Sequence, residues 1–474
     1  MSKKRLFFVI FLMFLVLFSG AAVAAEDETA VETTVYVGGE NGSVYAVDAS
    51  DGTEVWSMEI EGAARILSSP TVVNGTVYFG SIEEFDEDSS DDTRSEGDPA
   101  LYAVDAETGD EEWVFTDTEG PVFSSPTVVD GRVYFGEAKD AGGFGGGVYS
   151  IDAETGEEEW SLSEPIGDVT SRLTVVDGKV FFNDADVHAL ETEGGRQVWS
   201  AEEHSMTPTV SNGTVYTGDT SEFGMGEDGI EVAEEAATAS LDATTGDLVS
   251  ESSVSEGVFI MVSPPTVVDG TVYVGYVDSF EGESGVYAFD AETMDKKWSK
   301  LLDSDVGELP TLSTASDGII YVGVGESQTP YASVYAVDSE TGDIEWEKDD
   351  FGKEVTSPTV AGDAVYVTDN ETLYSLNKKS GEVLWHKEGE FTSTPTIVDT
   401  PTDGDSIDSQ VILGTLGHHE EWAEKASSAG TDGEFRNQSS PEEAGGTEEL
   451  PGFGFVATVL ALVTSALFAR RRPE

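Results

Sequence analysis

Cations are scarce enough in this chain for their placement to carry meaning. Its 474 residues include 94 Asp and Glu against 23 Lys and Arg, for a formal net charge of −71. Arg65 stands just before the run SSPTVV, and Arg172 occupies the place that Ser125 holds in a related stretch. A guanidinium offers a planar fork of donors to an anionic ligand. Ion pairing with Asp168 or Glu308 is the competing assignment for Arg172, and the favoured one. His204 and the adjacent His418 and His419 lack partners at metal-ligand spacing. The Asp-rich stretches 86–92 and 402–408 have neither the spaced ligands nor the closing Glu of an EF-hand loop, so no metal site is expected. Nucleophile elbow, paired-histidine zinc motif and phosphate loop are all missing from the sequence. With no cysteine, disulfides and thiolate chemistry are excluded. The other candidates for recognition are large apolar residues in polar loops: Phe85, Phe144, Phe223, Met225, Tyr276, Phe280 and Tyr331.

The elements that position these residues are repeats. Residues 124–160 read SSPTVVDGRVYFGEAKDAGGFGGGVYSIDAETGEEEW. A short apolar run meets Asp130-Gly131, a two-residue hairpin signal, and an alternating run follows. After a variable loop comes a strand ending in Ala153-Glu154-Thr155-Gly156, a second turn, and a last strand carries Trp160. The pattern recurs with Trp56, Trp113, Trp160, Trp199, Trp298, Trp346 and Trp385, and the register puts Ser250 where an eighth Trp would stand. Eight four-stranded antiparallel units at this period predict an all-β, eight-bladed propeller over residues 31–417, with seven blades as the alternative.

Closure is written at the ends of the array. The first copy lacks its SPTVV strand and begins near Val35 with a second strand, while residues 394–398 (TPTIV) supply a first strand with no Trp strand after it. Pairing the two would leave no open edge. Residues 411–415 (VILGT) match a further second strand and stand as an extra edge or a competing closure strand. Strand direction puts all the tight turns on one face of the ring. The insertions 81–99, 137–147, 220–238, 276–285 and 324–332 then share the other, which is the face expected to bind.

The VYVG-like strand, the YAVDAETG-like strand and turn, and the Trp resemble the quinoprotein-type (PQQ-like) β-propeller repeat. That repeat occurs in pyrroloquinoline-quinone dehydrogenases and in non-enzymatic propellers such as the barrel-assembly lipoprotein of bacterial outer membranes. The resemblance implies that the seven Trp pack between blades. An enzyme of this kind would need the quinone in the central funnel, a Ca²⁺ held by Glu, Asn and Asp, and an Asp base. Many such dehydrogenases also carry adjacent cysteines, which this chain lacks. No cofactor and no catalytic residue is therefore expected; PQQ and Ca²⁺ enter only under the dehydrogenase alternative.

Both ends read as addresses. Residues 1–25 have a basic start at Lys3, Lys4 and Arg5, an apolar run and small residues before Glu26, the three parts of a signal peptide. Residues 451–474 hold Pro451-Gly452-Phe453, an apolar run and Arg470-Arg471-Arg472. This resembles the PGF-CTERM signal of archaeal surface proteins, which an archaeosortase removes as the new end is lipidated. A plain membrane anchor would give the same topology. Residues 418–450, rich in Glu, Ser and Gly, read as a stalk. Asn41, Asn74, Asn212, Asn370 and Asn437 open glycosylation triplets. The acidity resembles a haloarchaeal surface and argues against nucleic-acid binding. The expectation is an exported monomeric ring tethered at the cell surface, a scaffold for an unknown protein or cell-surface polymer. A PQQ- and Ca²⁺-dependent alcohol or sugar dehydrogenase is one alternative, and glycan or polymer binding another.

Overall fold

The structure, a computed structural model, describes residues 31–412 apart from 61–62, 84–98, 119, 139–145, 164–166, 203, 205, 220–222, 227–228, 233–235, 256–259, 279–281, 304–309, 313–315, 326–331, 353 and 402–409. The expected signal peptide, stalk and sorting segment lie outside the described residues. So do Phe85, Phe144, Phe280, Tyr331, Asn437, Pro451, Gly452 and Phe453.

Every regular element among the described residues is a strand, and the strands form eight four-stranded antiparallel blades. Blade 3 shows the pattern: Thr127–Val129, Arg132–Glu137, Gly147–Asp152 and Glu158–Leu162, hydrogen-bonded in that order. Its short first strand lies innermost, touching the first strands of the blades on either side. The Asp130-Gly131 turn has φ of 51° and 77°, the type I′ geometry that joins twisted strands with two residues. Blades 2, 4, 5, 6, 7 and 8 start at Thr71, Thr174, Thr209, Thr266, Thr311 and Thr359. Seven blades are thereby ruled out.

Blade 1 closes the ring. Val31–Gly38, Ser43–Asp48 and Glu54–Glu59 take their innermost strand from Thr396–Pro401, with Tyr36 opposite Thr396 and Thr34 opposite Val398. The N-terminal strand therefore starts four residues earlier than the repeat alone suggested. Gln410–Ile412 decides between the two readings of residues 411–415 in favour of an extra edge. Instead of forming a further second strand, it pairs with Thr396–Pro401 on the axis side and reaches the first strands of blades 2 and 8. Blade 6 corrects another expectation, because residues 276–285 are largely a continuation of the hairpin. Tyr276 faces Gly285 and Asp278 faces Glu283, and Ile260–Val262 covers the lengthened edge.

The core lies between blades rather than inside one. One cluster joins Tyr78, Leu101 and Ala103 of blade 2 to Val133, Phe135 and Ile151 of blade 3, all buried. Alternation writes this directly, since a blade buried on both faces needs apolar residues on both sides of its middle strands. The links between blades press on the ends of second strands, where a side chain would not fit. A Cβ on Gly80 would stand 2.6 Å from the Val122 carbonyl oxygen.

Candidate functional site

Much of the residue chemistry singled out in the sequence is used to hold the ring. Each of the seven Trp donates its indole N–H to a backbone carbonyl in the turn of the next blade. Trp56 reaches Ala106 at 2.9 Å, Trp113 Ala153 at 3.1 Å, Trp160 Thr192 at 2.8 Å and Trp199 Ala243 at 3.3 Å. Trp298 reaches Ser339 at 3.1 Å, Trp346 Lys378 at 2.9 Å, and Trp385 crosses the closure to Ala49 at 2.8 Å. Tyr hydroxyls from second strands often share the same acceptor, as Tyr36 does with Ala106 and Tyr273 with Ser339. The turn glycine fits beneath the indole. A Cβ on Gly156, where φ is 72°, would lie 2.8 Å from Trp113 Cδ2.

The fifth joint is made differently. Where the next turn elsewhere has Gly, it has Met294, buried and at φ 59°, packed with Phe289 and Tyr216. Ser250 and Ser252 donate to Thr293 and Met294. A side chain rising from the turn thus takes the space that an indole fills from the opposite side at the other joints.

Carboxylates of the turns are also engaged. Asp152 Oδ1 accepts from the Thr155 hydroxyl and amide, both at 2.8 Å, and these bonds hold its carboxyl below the usual range. Asp338 does the same with Thr341. Arg132, at a cleft between blades 2 and 3 on this face, is tied to Glu159 and, at 3.1 Å, to Glu193.

The opposite face carries the insertions, and blades 4 and 8 show what a hairpin looks like without one. Asp184 Oδ2 accepts from the Gly167 amide at 2.7 Å, while Oδ1 accepts from Asp186 N at 2.8 Å and lies 2.9 Å from His188 Nε2. In blade 8, Asp369 Oδ2 accepts from the Gly352 amide at 2.8 Å and from the Tyr374 hydroxyl at 3.1 Å. Burial alone would raise the Asp184 carboxyl, but the His188 bond and charge and the two amides bring it to about 2. Asp184, Asp186 and His188 place ligand atoms within 4.8 Å of one another. Sequence reasoning missed this group, whose signal is Asp-x-Asp-x-His after a short second strand. Its counterpart in blade 8 uses Tyr in place of His, which marks the arrangement as a hairpin latch.

Of the loop aromatics, Tyr276 is half-buried on its own blade, its ring 4.8 Å from that of Tyr287, and burial pushes its hydroxyl up to about 12. Phe223 and Met225 lie in a small hairpin, Phe223–Gly226 paired with Gly229–Val232, inserted between the second and third strands of blade 5. Asn41, Asn74 and Asn212 are exposed and Asn370 half-buried.

The two arginines part company. Arg65 is exposed in the short strand Ala63–Arg65, which pairs with Ile82–Glu83. Arg172 is buried, and Nη2 donates to Thr71 Oγ1 at 3.0 Å on the inner strand of blade 2. The favoured ion pair with Asp168 is not formed, and Glu308 lies outside the described residues. Around the axis, first-strand threonines bind the residue ahead of the next blade's threonine: Thr71 to Pro126, Thr127 to Leu173, Thr174 to Pro208 and Thr396 to Pro70.

A family model described as outer membrane protein assembly factor BamB matches residues 19–183, 183–327 and 305–415. No curated protein matches the chain. Among solved structures, BamB from Moraxella catarrhalis is 17% identical over 74% of this chain and 97% of its own, with a TM-score of 0.53. The quinohemoprotein alcohol dehydrogenase ADHIIG from Pseudomonas putida HK5 is 14% identical over 91% of this chain and 81% of its own, with a TM-score of 0.52. A europium-containing methanol dehydrogenase gives 14% identity over 71% and 80%, with a TM-score of 0.51. At such identities the likeness is one of fold.

Proposed function

Since the chain belongs to the PQQ_2 family, described as that of the outer membrane protein assembly factor BamB, we propose that it is a non-catalytic binding or assembly scaffold. It works outside the cytoplasm, held at the cell surface through its C-terminal tail, and its insertion face meets a protein or a cell-surface polymer. One observation carries the choice of scaffold over dehydrogenase. The strand Gln410–Ile412 lies on the axis side of the closing strand and reaches blades 2 and 8, so a flat quinone would share the funnel with the chain's own backbone. The carboxylate group with metal-ligand geometry that the described residues offer, Asp184 with Asp186 and His188, sits instead at the blade 4 hairpin. The backbone on the axis side is what supports a scaffold that acts without PQQ and Ca²⁺.

Binding falls to the insertion face because its blades differ there, whereas the turn face spends its polar groups on folding. Replacing residues 220–235 with a short turn of the blade 4 type, in the full chain and leaving the strand Ala236–Asp242 in place, tests the assignment. Retention on cell-envelope material should drop at least tenfold with the ring still folded. Unchanged retention would remove this insertion from the binding surface.

A further inference from the structure

Arg172 is a cation whose charge the described residues leave unanswered. The residue is 6% exposed, standing at the inner end of blade 4. Its Nη2 reaches past blade 3 to the Thr71 hydroxyl of blade 2, a neutral partner that already donates to the Pro126 carbonyl at 2.6 Å. Nη1 is buried too, and among the described residues it has no hydrogen-bond partner. No carboxylate among them pairs with this guanidinium. Burial lowers its pKa to about 10, which leaves it charged at neutral pH. An isolated buried ion costs several kcal/mol after relaxation, and a counter-charge removes most of that cost.

We propose that Arg172 holds a small inorganic monoanion of chloride's size at the inner ends of blades 2 to 4, with Nη1 as the donor facing it. The enclosure sets the size, since a side chain so nearly covered leaves no approach for a bulky oxoanion or an organic acid. Repulsion from a chain of net charge −71 opposes the anion's entry. Affinity must then come from the local desolvated cation, where charge interactions are strongest. Such a site would fasten three blades at the axis, and it stands independently of what the insertion face binds.

Bromide, which scatters anomalously, reports on the site directly. Crystals of the wild-type chain soaked in sodium bromide should show a peak within about 3.5 Å of Arg172 Nη1. A water or one of the chain's own carboxylates in that place, with bromide only at the surface, would overturn the proposal. In solution, exchanging sodium gluconate for sodium chloride at constant sodium should raise the wild-type Tm by several degrees and leave that of Arg172→Met unchanged, because a ligand stabilises only the state that binds it. An equal rise in both would also overturn it. Should Arg172→Met fail to fold, the wild-type bromide map decides alone.

Discussion

The two faces of the ring are made by the same strands and treat their turns in opposite ways. On the turn face, the Asp-Gly hairpins, the Asp-capped turns and the Trp beneath them are repeated with little change, because each turn is a contact surface for the blade before it. Altering one alters a joint. On the insertion face, blades 4 and 8 close with a bare Asp latch, whereas blade 5 inserts a second hairpin and blade 6 lengthens its strands. Since a blade closes without an insertion, the inserted residues are additions to a finished fold. The difference separates what holds the ring from what is free to serve a partner.

Alkali should break the turn face most completely. Burial pushes the Tyr36 and Tyr321 hydroxyls up to about 12, from about 10 in the unfolded chain. The folded state then binds more protons, so the stability these groups contribute is intact below pH 10 and lost as pH climbs from 10 toward 12. Unfolding followed by circular dichroism should coincide with tyrosinate absorbance; tyrosinate forming near pH 10 in a folded ring would contradict the buried joints. A single joint should cost less. Trp113→Ala removes the bond to Ala153 and the contact with the Tyr78 ring, 5.8 Å away, and should destabilise by about 3 kcal/mol in denaturant titration. A loss below about 1 kcal/mol would mean that the indoles do not fasten blades.

The fifth joint sharpens the same comparison. Ser250→Trp alone should destabilise, because Met294 occupies the space, and adding Met294→Gly should recover about 1 kcal/mol as a coupling term in a double-mutant cycle. Strict additivity would show that the two positions do not share one site. Smallest of all is the effect expected for the blade 5 insertion. Shortening residues 220–235, which end where the strand Ala236–Asp242 begins, to a bare turn should change stability by less than about 1 kcal/mol, since loop length enters closure entropy only logarithmically. A larger loss would make that insertion part of the fold.

The fold was legible because its determinants are local and repeated. Trp and Gly at fixed offsets, the Asp-Gly turns and the orphan first strand at residues 394–398 were enough to count eight blades and locate the closure. The missing Trp at Ser250 was visible as a gap, and Met294 is the reason the gap is tolerated. Features that depend on one residue meeting another far along the chain were not legible. Repeat register placed Arg172 in a link, but its reach to Thr71, 101 residues away, depends on how the links converge at the axis. Tyr276 read as a loop residue because the pattern gave no sign that its hairpin would be extended and covered by Ile260–Val262. The Asp184 latch was hidden by composition, since its Asp-x-Asp-x-His stretch is one short acidic run in a chain with 94 acidic residues.

Reconstitution of the purified full chain with pyrroloquinoline quinone and Ca²⁺, followed by dye reduction with alcohol and sugar substrates, tests the scaffold reading most directly. A scaffold should give no substrate-dependent reduction above the protein-free rate. Turnover that depends on quinone, Ca²⁺ and substrate together would contradict it, and would make the axis, rather than the insertion face, the working part of the ring.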